Sequence, residues 1–178
     1  RLLSSAISTY GEPNLKEFKK DHKTTEVQKL ITKKDYHLIK DIKEIDKWIK
    51  EAEEVGEVAF DTETNSLDPH QAELVGISLS SKIGKACYIP IGHKSDKNLN
   101  KEMVIKKLKP LLEDTSVKKI GQNIKFDFII LFHQGVKISS MEDTMLMSYV
   151  LDAGKNRHNM DTLSKIHLNH KTIAFKDL

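Results

Sequence analysis

The hydrophobic positions of this chain change period several times, and each change marks an element. In "DIKEIDKWIKEAEEV", Asp41 to Val55, the apolar residues Ile42, Ile45, Trp48, Ile49 and Ala52 recur every three or four positions. That spacing lines one face of a helix, and Asp41 stands where an N-cap belongs. The period then drops toward two: "EVAFDTE", "ELVGISLSS" and "KACYIPIG" read as strands, the first two joined by the turn-forming "NSLDPHQ". Helical spacing returns in "NKEMVIKKLKPLLED", with a kink expected near Pro110. A fourth strand is predicted at "VKKIGQN", then a helix over "IKFDFIILFHQG" that Gly135 ends. Two more helices are predicted at "EDTMLMSYVLD" and "NMDTLSKIHL". Upstream, "VQKLITKKDYHLI" reads as a strand region. Residues 1–23 mix Ser, Gly, Pro and Lys without a period and read as a linker or frayed arm from a preceding domain. Strands first, then alternation of helix and strand, predict one α/β domain over residues 24–178, a mixed β-sheet flanked by helices.

Composition narrows the class. With 38% hydrophobic and 31% charged residues in 178, the chain is of the globular kind. No apolar run approaches the roughly 18 residues of a membrane span, so no membrane partner is expected. The polar, basic "KEFKKDHKTTE" predicts no secretory signal. Cys87 is the single cysteine, which excludes an internal disulfide or a thiolate cluster and agrees with a reducing, cytoplasmic compartment. The net charge of +3 is small but uneven: residues 82 to 137 hold 12 Lys+Arg against 5 Asp+Glu. That excess is either a solvated lysine-rich face or a surface for phosphates.

The chemistry concentrates in "VAFDTETNSLDP", where Asp61 and Glu63 follow an apolar strand-like run. Residues two apart in a strand share a face, so the two carboxylates project together and Thr62 points away. No Lys or Arg lies between Phe60 and Gln71 to offset them. A divalent cation such as Mg²⁺ or Mn²⁺ suits such hard oxygen donors, whereas two solvated acids at a strand end would give the same pattern without one. A further acid, Asp127, sits among Phe126, Phe128, Ile129 and Ile130, where an unpartnered carboxylate is costly to desolvate. Simple placement near a helix N-terminus would also explain it.

Six pieces, "FDTETNSLDP", "ELVGISLS", "YIPIGH", "KIGQNIKFD", "DTMLMSYVLD" and "HNMDTLSKIHLNHKTI", resemble in order and spacing the 3′→5′ proofreading exonuclease domains of bacterial DNA polymerase I, the family A polymerases. The similarity runs from about Val27 to the end of the chain. It implies a ribonuclease H-like fold and a DEDD site in which four acids hold two divalent ions, Mg²⁺ or Mn²⁺, with Zn²⁺ as an alternative at one position. Asp61 and Glu63 match the first motif and Asp127 the second. Asp61 would bridge both ions, Glu63 would hold one and orient the attacking water, and Asp127 would support the other. The implied reaction is hydrolysis at the 3′ end of single-stranded DNA, releasing nucleoside 5′-monophosphates. Leu67 matches the residue that wedges against the terminal base, and Phe175 one that packs on it. Gln122, Asn123, Phe126 and Arg157 match positions around the terminal nucleotide. Without the resemblance, Leu67 and Phe175 would be core residues, Asn123 a helix cap and Arg157 a solvated loop residue.

One departure stands out. The family's fourth acid and its water-binding tyrosine come from a Tyr-x-x-x-Asp motif, and no such spacing occurs here: Tyr149 precedes Asp152 by three and Tyr36 precedes Asp41 by five. Asp143 and Asp161 stand where helix N-caps are expected. The chain is therefore expected to be a fragment, binding metal weakly and cleaving poorly alone. Its implied partners are a primer-template and the rest of a polymerase chain, with the polymerase domain downstream and a 5′ nuclease domain upstream. The implied location is the bacterial cytoplasm, at the nucleoid. A DNA-binding or structural domain that does not cut, and a ribonuclease D-like RNA exonuclease sharing the acids, are the alternatives.

Overall fold

The computed structural model describes residues 35–94 and 97–173. The expected arm at 1–23, the start of the strand region at Val27 and the base-packing Phe175 lie outside the described residues. Six strands, β1 (Asp35–Leu38), β2 (Glu57–Thr64), β3 (Leu74–Lys82), β4 (Lys85–Pro90), β5 (Lys118–Gly121) and β6 (Met141–Asp143), form one sheet in the order β1-β4-β3-β2-β5-β6. β3 runs antiparallel to β2 and β4, while β1 joins β4, and β5 joins β2 and β6, in parallel. The helices are α1 (Ile45–Val55), α2 (Lys101–Glu113), α3 (Lys125–His133), α4 (Thr144–Asp152) and α5 (Met160–Leu168). This is the mixed α/β sheet that the pattern predicts.

The strand alternation divides the sheet into two faces. Val58, Phe60 and Thr62 of β2, Ile77 and Leu79 of β3, and Cys87 and Ile89 of β4 are buried on one face. Against it lie Ile45, Trp48 and Ala52 of α1, Val104, Leu108 and Leu112 of α2, and Ile130 and Leu131 of α3. A capping box starts the first helix: the Asp41 carboxylate accepts from Lys43 N–H, and Glu44 Oε1 accepts from Asp41 N–H at 2.9 Å. The opening turn, Ile42–Glu44, is 3₁₀, and Gly56, at φ 80°, closes α1 in the left-handed region.

Three local expectations change. α2 runs through Pro110 to Glu113 without interruption. Pro110 and the residue whose carbonyl it leaves unbonded, Lys106, are both exposed, so the chain continues helical without burying that carbonyl. The segment read as one helix from Glu142 begins instead with edge strand β6, and α4 starts at Thr144. Asn159, not Asp161, caps α5, accepting from Thr162 N–H at 3.1 Å.

The basic stretch resolves largely into structure. Lys119 is fully buried and donates to the carbonyls of Val117 (2.6 Å) and Asp114, closing the C-terminal end of α2. Lys82 and Lys85 both reach buried Glu51 on α1, at 2.7 and 2.5 Å. Lys107 pairs with Asp46 at 2.7 Å and Lys118 with Glu142 at 3.7 Å. These five lysines carry much of the local excess, and one of them has no access to a phosphate. No helix among the described residues is long and apolar enough to cross a membrane.

Candidate active site

On the opposite face of the sheet, β2 presents Ala59, Asp61 and Glu63. The register pairs Ala59 with Ser80, Asp61 with Ser78 and Glu63 with Gly76, so small residues of β3 flank the acids. A register shift follows Glu63, with Thr64 opposite Leu74 and Val75 left over. Such a bulge re-aims side chains at the end of a strand. Asp61, Ser78 and Ser80 line a groove of about 260 Å³ together with Gln122, Thr144 and Met160.

Asp127 reaches the same place from α3. It is 2% exposed, and its Oδ1 accepts from Thr62 N–H at 2.8 Å and Thr62 Oγ1–H at 2.6 Å. The cause is topological. β5 ends at Gly121, opposite the middle of β2, so the backbone of Thr62 has no ladder partner on that side. The carboxylate takes that role and is thereby fixed beside Asp61, leaving its second oxygen for another partner.

The Asp61 and Asp127 carboxyls are both displaced upward. The Asp61 carboxyl is pushed up to about 6, first by burial and then by the charges of Asp127 and Glu63. Burial also raises Asp127; the Thr62 hydrogen bonds pull it back and Asp143 adds to the rise. Among the described residues no group of three or more acid, imidazole or thiol side chains is arranged to hold a metal ion. The donor set nonetheless suits a hard divalent cation in its chemistry: all oxygen and all acidic, with Asp61 and Asp127 raised toward protonation, first by burial.

The loop after the acids is rigidly built. Asn65 Oδ1 accepts from Glu73 N–H (2.9 Å) and Asn65 Nδ2 donates to Glu73 Oε2 (3.1 Å), while Asp68 Oδ1 accepts from His70 N–H (3.0 Å). At its tip Leu67 is 96% exposed, which removes core packing as its explanation. Asn123 adopts φ 58° immediately after β5, exposed, with its N–H donating to Asp143 Oδ1 at 3.0 Å. It does not cap α3 with its side chain.

A family described as 3′-5′ exonuclease matches residues 36–178. The chain belongs to this family. DNA polymerase I of Rhizobium leguminosarum is 43% identical over 164 residues, 80% of this chain, and that of Pseudomonas aeruginosa 42% over 150 residues, 81% of it. The chain spans 16% of the length of each. Among solved structures, a Trypanosoma brucei RNase D in complex with RNA U12 superposes with a TM-score of 0.69 at 16% identity, over 84% of this chain and 52% of that one. Brucella melitensis NrnC with bound Mg²⁺ gives 0.57 at 25%, over 79% and 63%. The ribonuclease H-like fold and the membership of the 3′-5′ exonuclease family therefore stand together.

Within this exonuclease domain the other expected substrate residues fall into two groups. Gln122 is engaged at both ends: Nε2 donates to His158 O (2.8 Å) and Oε1 accepts from Thr144 Oγ1–H (2.5 Å). Phe126 is half-buried against the core. Arg157 and Asn123 are exposed. Sequence reasoning passed over Thr62 and His158. Thr62 gives no signal, since only the fold shows that Asp127 needs its two donors. His158 is buried, with Nδ1 2.7 Å from Ser148 Oγ and its ring 3.9 Å from that of Tyr149. It joins α4 to the segment before α5. Asp143 was legible as an N-cap and accepts from Met145 N–H at 2.9 Å.

Proposed function

We propose that this domain removes nucleotides one at a time from the 3′ end of single-stranded DNA, proofreading for a polymerase of which it forms part. The observation that carries the reading is the placement of Asp61, Glu63 and Thr62-anchored Asp127 around one end of β2, with the Asp61 carboxyl raised to about 6, first by burial and then by the charges of Asp127 and Glu63. Two divalent cations, Mg²⁺ or Mn²⁺ with Zn²⁺ as an alternative at one position, would there supply a strong nucleophile from water at neutral pH and neutralise charge on the attacking and leaving oxygens.

The chain's own residues define the rest. Asp61, between Glu63 and Asp127, would serve both cations; Glu63, at the strand end, would orient the incoming water; Asp127 is held by Thr62. Leu67 stands free at the tip of a braced loop, where an apolar side chain wedges between bases irrespective of their sequence. Asn123 and Phe126 at the start of α3 and Arg157 before α5 would meet the terminal nucleotide, and Gln122, tied to His158 and Thr144, would brace that wall of the groove. Attack on phosphorus forms one P–O bond and breaks the bond to the 3′ oxygen of the penultimate nucleotide. The products are a nucleoside 5′-monophosphate and a strand with a new 3′ hydroxyl. The bacterial polymerase relatives favour DNA, and a primer-template, as substrate over RNA.

Calorimetric titration of Mn²⁺ into the chain, beside Asp61→Ala, with cleavage of single strands carrying a label at the 5′ end, tests the reading. Mn²⁺ binding that disappears in Asp61→Ala, and ladders that shorten from the 3′ end only with metal, are the expected results. Metal-independent DNA binding that is indifferent to Asp61→Ala, or faster trimming of RNA than of DNA, would overturn it.

A further inference from the structure

Beside the acids lies a tyrosine that the proposed chemistry leaves unused. Tyr88 of β4 pairs in register with Ser78, which pairs with Asp61, so all three side chains leave the sheet on the acid-bearing face. Its ring leans diagonally over β3 and sets the phenol oxygen above Gly76: a Cβ placed on Gly76 would lie 1.9 Å from it. Only glycine admits the phenol there. Gly76 is the direct register partner of Glu63. Directly opposed Cβ positions in an antiparallel pair are about 5 Å apart, so the phenol oxygen stands within reach of the Glu63 carboxylate, two bonds beyond its Cβ.

The phenol is held from behind. His93 Nε2 is 2.7 Å from Tyr88 Oη, with the rings edge to face at 5.5 Å. His93 is itself clamped, its N–H donating to Asn98 Oδ1 at 2.8 Å and its carbonyl accepting from Asn98 Nδ2 at 2.6 Å. The chain of contacts from Asn98 through His93 thus ends at the Tyr88 phenol, across the sheet from Glu63.

We propose that Tyr88 and His93 are a positioning pair for Glu63, in which His93 Nε2–H donates to the phenol oxygen and the phenol O–H is aimed at the Glu63 carboxylate; the inference rests on the exonuclease reading of Glu63. The direction follows from chemistry. A phenol offered a neutral imidazole nitrogen or a carboxylate makes the stronger bond to the charged acceptor, which frees its own oxygen to accept from the imidazole. The phenol stays protonated throughout: burial, and then the charge of Glu63, push it up to about 12. Fixing one carboxylate oxygen leaves the other to orient the attacking water.

Two measurements test this. At pH 8, where histidine is neutral, the ¹⁵N shifts of the His93 imidazole in the metal-free chain should show Nε2 protonated. An unprotonated Nε2 spends the phenol proton on His93 and overturns the proposal whatever the activity. In single-turnover cleavage with Mn²⁺, Tyr88→Phe keeps the ring and removes one charge-assisted bond, so the maximal rate should fall about tenfold with half-saturating DNA and melting temperature unchanged. His93→Ala should do the same. His93→Gln, which retains a donor near the same point, should stay within about twofold of the parent, and the double variant Tyr88→Phe/His93→Ala should be no worse than either single change. A parent-like rate in Tyr88→Phe, with Asp61→Ala inert, removes the pair and leaves the exonuclease reading intact. Cleavage surviving in Asp61→Ala removes the exonuclease reading and with it the role of Glu63. If the parent chain is inert, the tautomer alone decides.

Discussion

The two faces of the sheet obey opposite rules. The face under α1, α2 and α3 is lined by Ile77, Leu79, Ile89, Leu108 and Leu131, each at most 2% exposed, and is closed to water. The face above carries Ala59, Gly76, Ser78, Ser80 and Ala86, side chains too small to make a core, with Asp61 and Glu63 among them. The same period-two strands build both. Stability is thus concentrated below the sheet and chemistry above it, and β2 holds them in fixed relation because Phe60 and Thr62 anchor the strand whose alternate residues are the acids.

Substitutions that strike one face only should separate the two properties. Asp61→Ala should abolish cleavage, by about a thousandfold or more as for other groups acting as a unit, while leaving the unfolding midpoint close to the parent. Parallel loss of fold and activity in that variant would show that the acids belong to the core after all. Leu108→Ala should do the reverse. Fully buried on α2, it should cost about 3 kcal/mol by denaturant titration, with cleavage per folded molecule unchanged. A large fall in that specific activity would mean that the faces are mechanically coupled.

Thr62 is the point at which the division should fail. It belongs to the buried face, yet its N–H and hydroxyl fix Asp127 beside the acids. Thr62→Val keeps shape and burial and removes only the hydroxyl, so it should cost about 1 kcal/mol of stability and weaken Mn²⁺ binding several-fold in calorimetry. An unchanged Mn²⁺ affinity would free Asp127 from any role in holding the cation.

Much of this was legible in the sequence, for reasons that differ by residue. Ile42, Ile45, Trp48 and Ala52 repeat at helical spacing because one side of α1 is buried, and the Asp41–Glu44 capping box is local chemistry. Asp61 and Glu63 could be placed on one face because strand alternation is a local rule. β6 escaped notice because a three-residue edge strand, Met141–Asp143, has no room for a period. Lys119 was counted with the surface charges because nothing local marks a lysine whose ammonium will cap a helix next to it in space. Thr62 with Asp127, and Tyr88 with Glu63, depend on register between strands, which only the fold supplies. The candidate site residues were singled out through motif resemblance; their anchors were not, because an anchor is defined by its contacts.

The smallest expected effect bears most directly on the acid-bearing face. If Asp61 is held among negative charges for want of a cation, removing its charge should stabilise the metal-free protein. Its folded-state value of about 6 lies above the ordinary 3.8. From about pH 4 to 6 the folded form therefore binds more protons than the unfolded one, and stability falls as the pH rises through that window; above it the full penalty remains. A two-unit displacement in a sealed site would correspond to about 3 kcal/mol; Asp61 is partly open to water, and screening reduces this to about 1 kcal/mol. Asp61→Asn should thus gain about that much at pH 8 in urea titrations and nothing at pH 4. Saturating Mn²⁺ should reverse the order, stabilising the parent and not the variant. Should Asp61→Asn lose stability at pH 8, the carboxylates are already satisfied without a cation, and the contrast between the two faces is one of side-chain size alone.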